Sequence, residues 1–406
     1  GGRGEPRASL TPRRPRWQDR RVADYPARAV VDLEAIRGNM RVLSDRAGAA
    51  DAMAVVKADA YGHGLLPVAR AALEGGASWL ATAQLSEALR LRASGITAPI
   101  LSLLYAPGAR LDLAVEAGVD LSVGAPWALA EVAAAARACG RTARVHLEVD
   151  TGLGRGGAFP GGLGAVLDAA LRAQAGGEVA VVGVWSHLAR ADEVGHPSVR
   201  DQRDTFRDAV AMCERAGAAI EVRHLAASAA LLTEPETHFD LVRPGIALYG
   251  LSPFPDRADS ASLGLRPAMR LEATLSVVKQ APGGQGVSYG HDYVTAEQTR
   301  LGVVPIGYAD GIPRHASGAG PVQVGGRRLQ VAGRICMDQF VVDLGPGPEP
   351  HRAGDLAVVF GPGDDGEPTA QDWAEAAGTI SYEIVTRLGV RVPREHVGES
   401  RGSGQR

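Results

Sequence analysis

From residue 28 to about 250, short β-rich runs alternate with Ala-, Leu- and Arg-rich stretches that repeat with helical period. Nothing else in the chain constrains its fold as much. A segment at Arg28–Leu33 and a helix at Glu34–Arg46 open the series. Eight strand candidates follow, at Met53–Lys57, Trp79–Thr82, Pro99–Leu103, Asp120–Val123, Arg144–Val149, Ala180–Ser186, Glu221–Leu225 and Asp240–Arg243. The spacing between them predicts helices over 64–75, 84–94, 125–138, 161–174 and 198–216. This order fits a (β/α)8 barrel of the TIM type better than an open sheet. Such barrels carry their chemistry at the C-terminal ends of the strands. Lys57, His187 and Arg243 fall at, or one residue beyond, the ends of the first, sixth and eighth strands, a placement that packing alone does not account for.

Residues 252–264, rich in Pro, Ser and Asp, break the alternation and read as a connection between domains. Beyond them strand follows strand, at Leu271–Lys279, Arg300–Ile306, Val322–Val324, Arg328–Ala332, Phe340–Leu344 and Leu356–Phe360, with one helix at Ala370–Ala377. The expected division is therefore a disordered tail at 1–27, the barrel at 28–251, a linker at 252–264, a mostly-β C-terminal domain at 265–397 and a tail at 398–406. The first 25 residues are Gly-, Pro- and Arg-rich and contain no apolar core of a secretory signal. Their arginines read as a solvated tail in preference to a polyanion-binding arm.

An apolar run delivers Lys57 to the end of the first barrel strand, and Tyr61, Gly62 and Gly64 follow. A lysine so placed is either the partner in a structural ion pair or a reactive amine. Residues His224 to Ser228 end the seventh strand, and Arg243-Pro-Gly-Ile-Ala-Leu-Tyr-Gly ends the eighth. The loops after those strands are the usual phosphate site of this kind of barrel. A serine hydroxyl and glycine-exposed N–H groups are suitable donors there, although a serine such as Ser228, taken alone, is more often a helix N-cap. An amine at one strand and a phosphate cradle at two others suggest pyridoxal 5′-phosphate, held as a Schiff base to Lys57.

Seven segments, in order, resemble the alanine racemase family. They are Lys-Ala-Asp-Ala-Tyr-Gly-His-Gly (57–64), Asp-Thr-Gly-Leu-Gly-Arg (150–155), Arg-Pro-Gly-Ile-Ala-Leu-Tyr-Gly (243–250), Val-Ser-Tyr-Gly (287–290), Gly-Tyr-Ala-Asp-Gly (307–311), Cys-Met-Asp-Gln (336–339) and Thr-Ile-Ser-Tyr-Glu (379–383). The resemblance implies that Lys57 binds the cofactor and acts as one catalytic base. Tyr289 would be the opposing base, supplied by the β-domain of a partner subunit and tuned by His187. Tyr61, Ser228, Gly245, Ile246 and Tyr382 would hold the phosphate, and Arg243, backed by His224, would meet the pyridine nitrogen. Arg155 would face the phenolic oxygen, and Arg155, Met337 and Tyr308 would contact substrate. Arg314, Arg334 and Asp192, with Tyr308, match a corridor leading to the site. Two positions depart from the family. Glu148 stands where a lysine, often carbamylated, is common, and is expected to orient Arg155 without that modification. Ala227 replaces an asparagine beside the phosphate serine.

The implied activity is interconversion of L- and D-alanine by a cytoplasmic homodimer, supplying D-alanine for peptidoglycan, with no metal. Other readings stay open: a related racemase acting on serine, a decarboxylase of the same architecture, or a non-catalytic cofactor-binding protein. Decarboxylases of this type meet the pyridine nitrogen with a carboxylate, against which Arg243 argues. The near balance of 43 basic and 46 acidic residues gives no reason to expect nucleic acid or an anionic membrane as partner. Three widely spaced cysteines point to a reducing compartment.

Overall fold

The computed structural model describes residues 25–347 and 351–398; the tails expected at 1–27 and 398–406 lie outside these residues except for 25–27 and 398. Strand β1 (Ala27–Asp32) opens the described chain and caps the helix that follows. Asp32 accepts from the N–H groups of Glu34 and Ala35 at 2.9 and 3.2 Å, satisfying two donors that a helix N-terminus otherwise leaves unpaired. Leu33, Ile36, Met40, Leu43 and Ala47 recur every three or four residues along helix Leu33–Ala47 and are buried. That face packs on helix Leu65–Glu74 and on the turn Ile246–Tyr249.

Eight parallel strands form the barrel: β2 (Asp51–Val55), β3 (Trp79–Thr82), β4 (Ile100–Ser102), β5 (Asp120–Val123), β6 (Ala143–Glu148), β7 (Val179–Trp185), β8 (Val222–His224) and β9 (Leu241–Val242). Their order around the wall is β8-β7-β6-β5-β4-β3-β2-β9. At the seam, Asp240 N–H donates to Arg223 O at 3.1 Å and Arg243 N–H to Ala226 O at 2.9 Å, so the wall is nearly closed. Helix Leu33–Ala47, touching elements on both sides of β2 and β9, takes the place that a helix after the last strand would fill.

The C-terminal domain is mostly β. Strands β10 (Met269–Thr274) and β11 (Val277–Ala281) divide the single run expected over 271–279 between two sheets. A small hairpin, β12 (Gly286–Val287) with β13 (Tyr293–Val294), precedes β14 (Thr299–Val304), β15 (Pro321–Val324), β16 (Arg327–Gln330), β17 (Phe340–Gly345), β18 (Leu356–Phe360) and β19 (Arg394–Val397). The larger sheet runs β16-β15-β18-β10-β1-β19, and the smaller runs β11-β14-β17.

Strand β1 thus belongs by hydrogen bonding to the second domain's sheet, between β10 and β19, although its sequence position groups it with the barrel. Its burial alternates, whereas β3 and β5 are buried at every residue. Alternation is what a sheet with one wet face requires, and continuous burial is what a barrel covered by helices requires.

Asn39 joins the two domains at this crossing. Its side-chain amide donates to Leu248 O at 3.1 Å and Arg266 O at 2.9 Å, and its oxygen accepts Arg266 N–H at 2.8 Å, all from a position 2% exposed. Asn39→Leu, nearly isosteric, should leave those backbone groups buried and unpaired and lower unfolding free energy by about 2–4 kcal/mol, read from urea denaturation. A loss under about 0.5 kcal/mol would show that the bridge carries no stability.

Candidate active site

The C-terminal ends of the barrel strands open into a cavity of about 1280 Å³. Lys57, Tyr61, Arg155, His187, Ser228, Arg243, Gly245, Ile246 and Tyr382 all line it.

Strand β2 ends at Val55, and Lys57 starts a turn of unusual hand. Ala58, Asp59, Ala60 and Tyr61 have φ of 53°, 52°, 55° and 51°, a left-handed turn built without glycine. Each such residue costs about 1–2 kcal/mol relative to the right-handed form, so the surroundings must hold the turn in place. Asp59 contributes by accepting Leu65 N–H at 3.1 Å, and the Tyr61 ring stacks on Tyr249 with centroids 4.6 Å apart. The Lys57 amine has no hydrogen bond or ion pair among the described residues. Burial, then the positive charges of Arg155 and Arg243, push its pKa down, toward the neutral amine.

Below the cavity, polar side chains fill the barrel interior. Arg144, His146 and Glu148 alternate along β6 and so share its inner face. His146 finds room because residue 183 is glycine; a Cβ there would lie 2.2 Å from its Nδ1. Arg243 donates to His224 Nδ1 at 3.0 Å, His224 Nε2 meets His146 Nδ1 at 2.9 Å, and His146 Nε2 meets Asp120 Oδ2 at 3.2 Å. A guanidinium can only donate, so every tautomer along this chain is fixed: Arg243 to His224, to His146, to Asp120. The other arm of Arg243 donates to Ser186 O at 2.7 Å and Leu225 O at 3.1 Å, and the guanidinium lies 5.1 Å from the Trp185 ring centroid. Burial lowers Arg243 to about 9, which still leaves it charged at neutral pH. His187 Nδ1 also faces Arg243, at 3.3 Å, which leaves its Nε2–H as a free donor.

Ser228 Oγ accepts the N–H groups of Gly245 and Ala247 at 2.8 and 3.3 Å, drawing the loops after β8 and β9 together. The Tyr61 hydroxyl occupies the space a Cβ at residue 245 would need, 2.7 Å away, so a side chain there would displace it. Neither Tyr61 nor Tyr382 donates its hydroxyl to a protein acceptor among the described residues. Unused donors at one end, a bare amine at Lys57 and a charged guanidinium at the other end suit a phosphate-bearing aldehyde with a ring nitrogen. No group of three or more His, Cys, Asp and Glu among the described residues could hold a metal ion.

Of the catalytic, cofactor and substrate residues named from the sequence, His224 lies buried beneath this cavity and three others are not on it. Tyr289, Met337 and Tyr308 are 71%, 53% and 39% exposed on the β-domain. They are neighbours there: Ser288 Oγ lies 3.4 Å from Cys336 Sγ, and Tyr308 N–H donates to Cys336 O at 3.1 Å. Of the corridor residues, Asp192 lines the cavity and Arg314 and Arg334 do not. The expectation that Glu148 orients Arg155 is not met by an ion pair. The short glutamate stem keeps the carboxylate against Gly156, where a Cβ would lie 2.7 Å from Oε1, and burial raises its pKa. Ala227 gives the short helix Ser228–Thr233 no side-chain cap. Asp120 and His146 carry no motif, yet polar residues at alternate positions of β5 and β6 mark an inner face that apolar side chains normally fill.

The family model of the alanine racemase N-terminal domain matches residues 31–253, and that of the C-terminal domain matches 268–396. The chain is 66% identical over 374 residues to an alanine racemase of Beutenbergia cavernae, covering 92% of this chain and 98% of that one. It is 58% identical over 388 residues to that of Streptomyces coelicolor, covering 94% and 98%. The crystal structure of alanine racemase from Streptomyces lavendulae superposes with a TM-score of 0.91 at 57% identity, covering 93% of this chain and 98% of that one.

Burial lowers the pKa of His63 to about 4 and of His187 to about 3, and drives His224 well below its ordinary value. Unfolded, each titrates near ~6.5. The stability they contribute is fully present above that value. Below it the unfolded chain binds protons that the native one refuses, so stability falls as pH falls. The unfolding free energy of the cofactor-free protein, read from urea denaturation, should decline from about pH 6.5 to about 5, with a slope approaching ~1.4 kcal/mol per pH unit for each such histidine. A flat profile would mean that these imidazoles protonate freely in the fold.

Proposed function

The chain belongs to the alanine racemase family, and from that premise we propose that it interconverts L- and D-alanine with pyridoxal 5′-phosphate, using Lys57 and Tyr289 as bases on opposite faces of the α-carbon. The observation that carries this reading is the half-buried amine of Lys57, left without a partner beside unused donors on Tyr61 and Tyr382. Tyr61, Tyr382, Ser228 and the Gly245–Ile246 backbone would hold the phosphate, Lys57 the aldehyde, Arg155 the phenolic oxygen and Arg243 the ring nitrogen. Bound there, the cofactor supplies the electron sink that makes the α-proton of alanine removable.

Inversion needs a proton taken from one face and another delivered to the opposite face, hence two groups. Lys57, with its pKa lowered, can act as a neutral amine on one side. Tyr289 from a second copy of the chain is the proposed group on the other. Its exposure beside Met337 and Tyr308, away from its own chain's cavity, supports delivery to a partner's site. A tyrosine near ~10 needs help to lose its proton. The free Nε2–H of neutral His187 and the charges of Arg155 and Arg243 are the groups available to give it. Arg243 has donors only and is fixed by His224, so it withholds a proton from the ring nitrogen and favours return of the proton to the α-carbon. Met337 and Tyr308, carried in with Tyr289, would contact the substrate carboxylate side together with Arg155. A homodimer in the cytoplasm, supplying D-alanine to peptidoglycan, completes the proposal. Cys139, Cys213 and Cys336, all free thiols, suit a reducing setting, and no helix among the described residues is long and apolar enough to cross a membrane.

Purified protein loaded with pyridoxal 5′-phosphate should bring the circular dichroism of either alanine enantiomer to zero without releasing carbon dioxide. Activity with serine and none with alanine would move the substrate assignment, and carbon dioxide release would overturn the reaction. Lys57→Ala and Tyr289→Phe chains should each be nearly inactive. After equal mixing and subunit exchange they should regain about a quarter of wild-type activity, since half the dimers then hold one intact site. No recovery with exchange demonstrated would contradict a shared site.

A further inference from the structure

We propose that Arg394 and His396, on strand β19 of the C-terminal domain, are positioning residues that hold the left-handed turn carrying Lys57 and Tyr61 in its reactive shape. The inference rests on Lys57 and Tyr61 binding the cofactor as described above.

The two carbonyls that follow the turn are both claimed by β19. Arg394 Nε donates to Gly62 O at 2.9 Å, and His396 Nε2 donates to His63 O at 2.8 Å. The remaining Arg394 nitrogens donate to Gly389 O, Val392 O and Leu388 O at 2.7, 2.7 and 2.6 Å. Among the described residues no carboxylate pairs with this half-buried guanidinium. Its donors are spent on backbone, four carbonyls of which one directly follows the turn, and that makes it a spacer of fixed length between the domains.

The contact is close as well as polar. A Cβ at Gly62 would lie 2.3 Å from Val385 O, and one at Gly64 would lie 2.7 Å from His396 Nε2. Val385 sits on helix Ser381–Thr386, which also presents Tyr382, whose ring centroid is 6.2 Å from that of Tyr61. One domain therefore delivers one hydroxyl of the phosphate end and fixes the residue that delivers the other. On the barrel side, the turn is held by the Asp59–Leu65 bond, a bond from Asp59 N–H to Glu87 Oε1 at 3.3 Å, and the stack on Tyr249. Four successive left-handed residues with Cβ atoms favour leaving this conformation. Release at Gly62 and His63 would let the turn relax, carrying the Lys57 amine and the Tyr61 hydroxyl away from each other.

The test compares the full-length wild type with Arg394→Gln, and with Arg394→Gln combined with Ala58→Gly. Pyridoxal 5′-phosphate is titrated by visible absorbance, and amide hydrogen exchange of the peptide spanning 57–66 is followed without cofactor. Arg394→Gln should weaken cofactor binding at least about tenfold and speed exchange of that peptide, leaving the barrel strands unchanged. Ala58→Gly should restore much of the affinity, because glycine takes the left-handed form without penalty and the turn then needs less holding. Unchanged affinity and exchange in Arg394→Gln would overturn the proposal. So would a loss that Ala58→Gly fails to recover, since a residue that merely docked the domain would give that pattern. Should Arg394→Gln not fold, His396→Leu enters the same comparison with the same expectations. If wild type itself binds no cofactor, the functional reading fails, and the exchange data still decide the positioning role.

Discussion

Lys57 brings its amine to a cavity where no carboxylate or carbonyl among the described residues pairs with it. An unpaired cation is costly to bury, and two arginines nearby raise the cost. The amine can meet that constraint by shedding its proton or by gaining an anionic ligand, and the cavity provides for both. Burial and the charges of Arg155 and Arg243 favour the neutral base, while the hydroxyls of Tyr61 and Tyr382 would suit an anionic ligand. The same excess of positive charge that would destabilise an empty site is what would bind a dianionic cofactor.

Arg243 shows how firmly the fold enforces this. A charged guanidinium is kept buried by three backbone and side-chain acceptors and by a run of imidazoles ending at Asp120. Each hydrogen bond in that run has only one possible direction, so the arginine can neither turn nor hand on a proton. A carboxylate at the same place could deliver a proton to a ring nitrogen; a guanidinium held in this way would withhold one. The orientation of Arg243 is thereby set below the cavity floor, on strands whose inner faces carry His146 and Asp120 where apolar packing is the rule.

Much of this was legible in the sequence because barrel geometry converts position along the chain into position in space. Alternating strands and helices gave the fold, and strand ends gave Lys57, His187, His224 and Arg243. What stayed hidden depends on contacts between distant segments. Strand β1 pairs with β10 and β19, more than two hundred residues away, and six residues cannot specify that choice. Ala58 and Ala60 have no local preference for left-handed backbone, and Arg394, His396 and Val385, which meet the turn, come from the other domain. Tyr289 and Met337 are found only through their motifs, since within one chain they lie exposed and away from the cavity.

Two bases on opposite faces are tested most directly by racemising L-alanine in heavy water and stopping after a small fraction has converted. The separated D-alanine is then weighed by mass spectrometry. If Lys57 removes a proton on one face and Tyr289 delivers a different one on the other, D-alanine carries solvent deuterium at its α-carbon from the first turnovers. Product that retains the substrate's own proton to a large extent would mean that a single group ferries it across, and would contradict the division of labour between Lys57 and Tyr289.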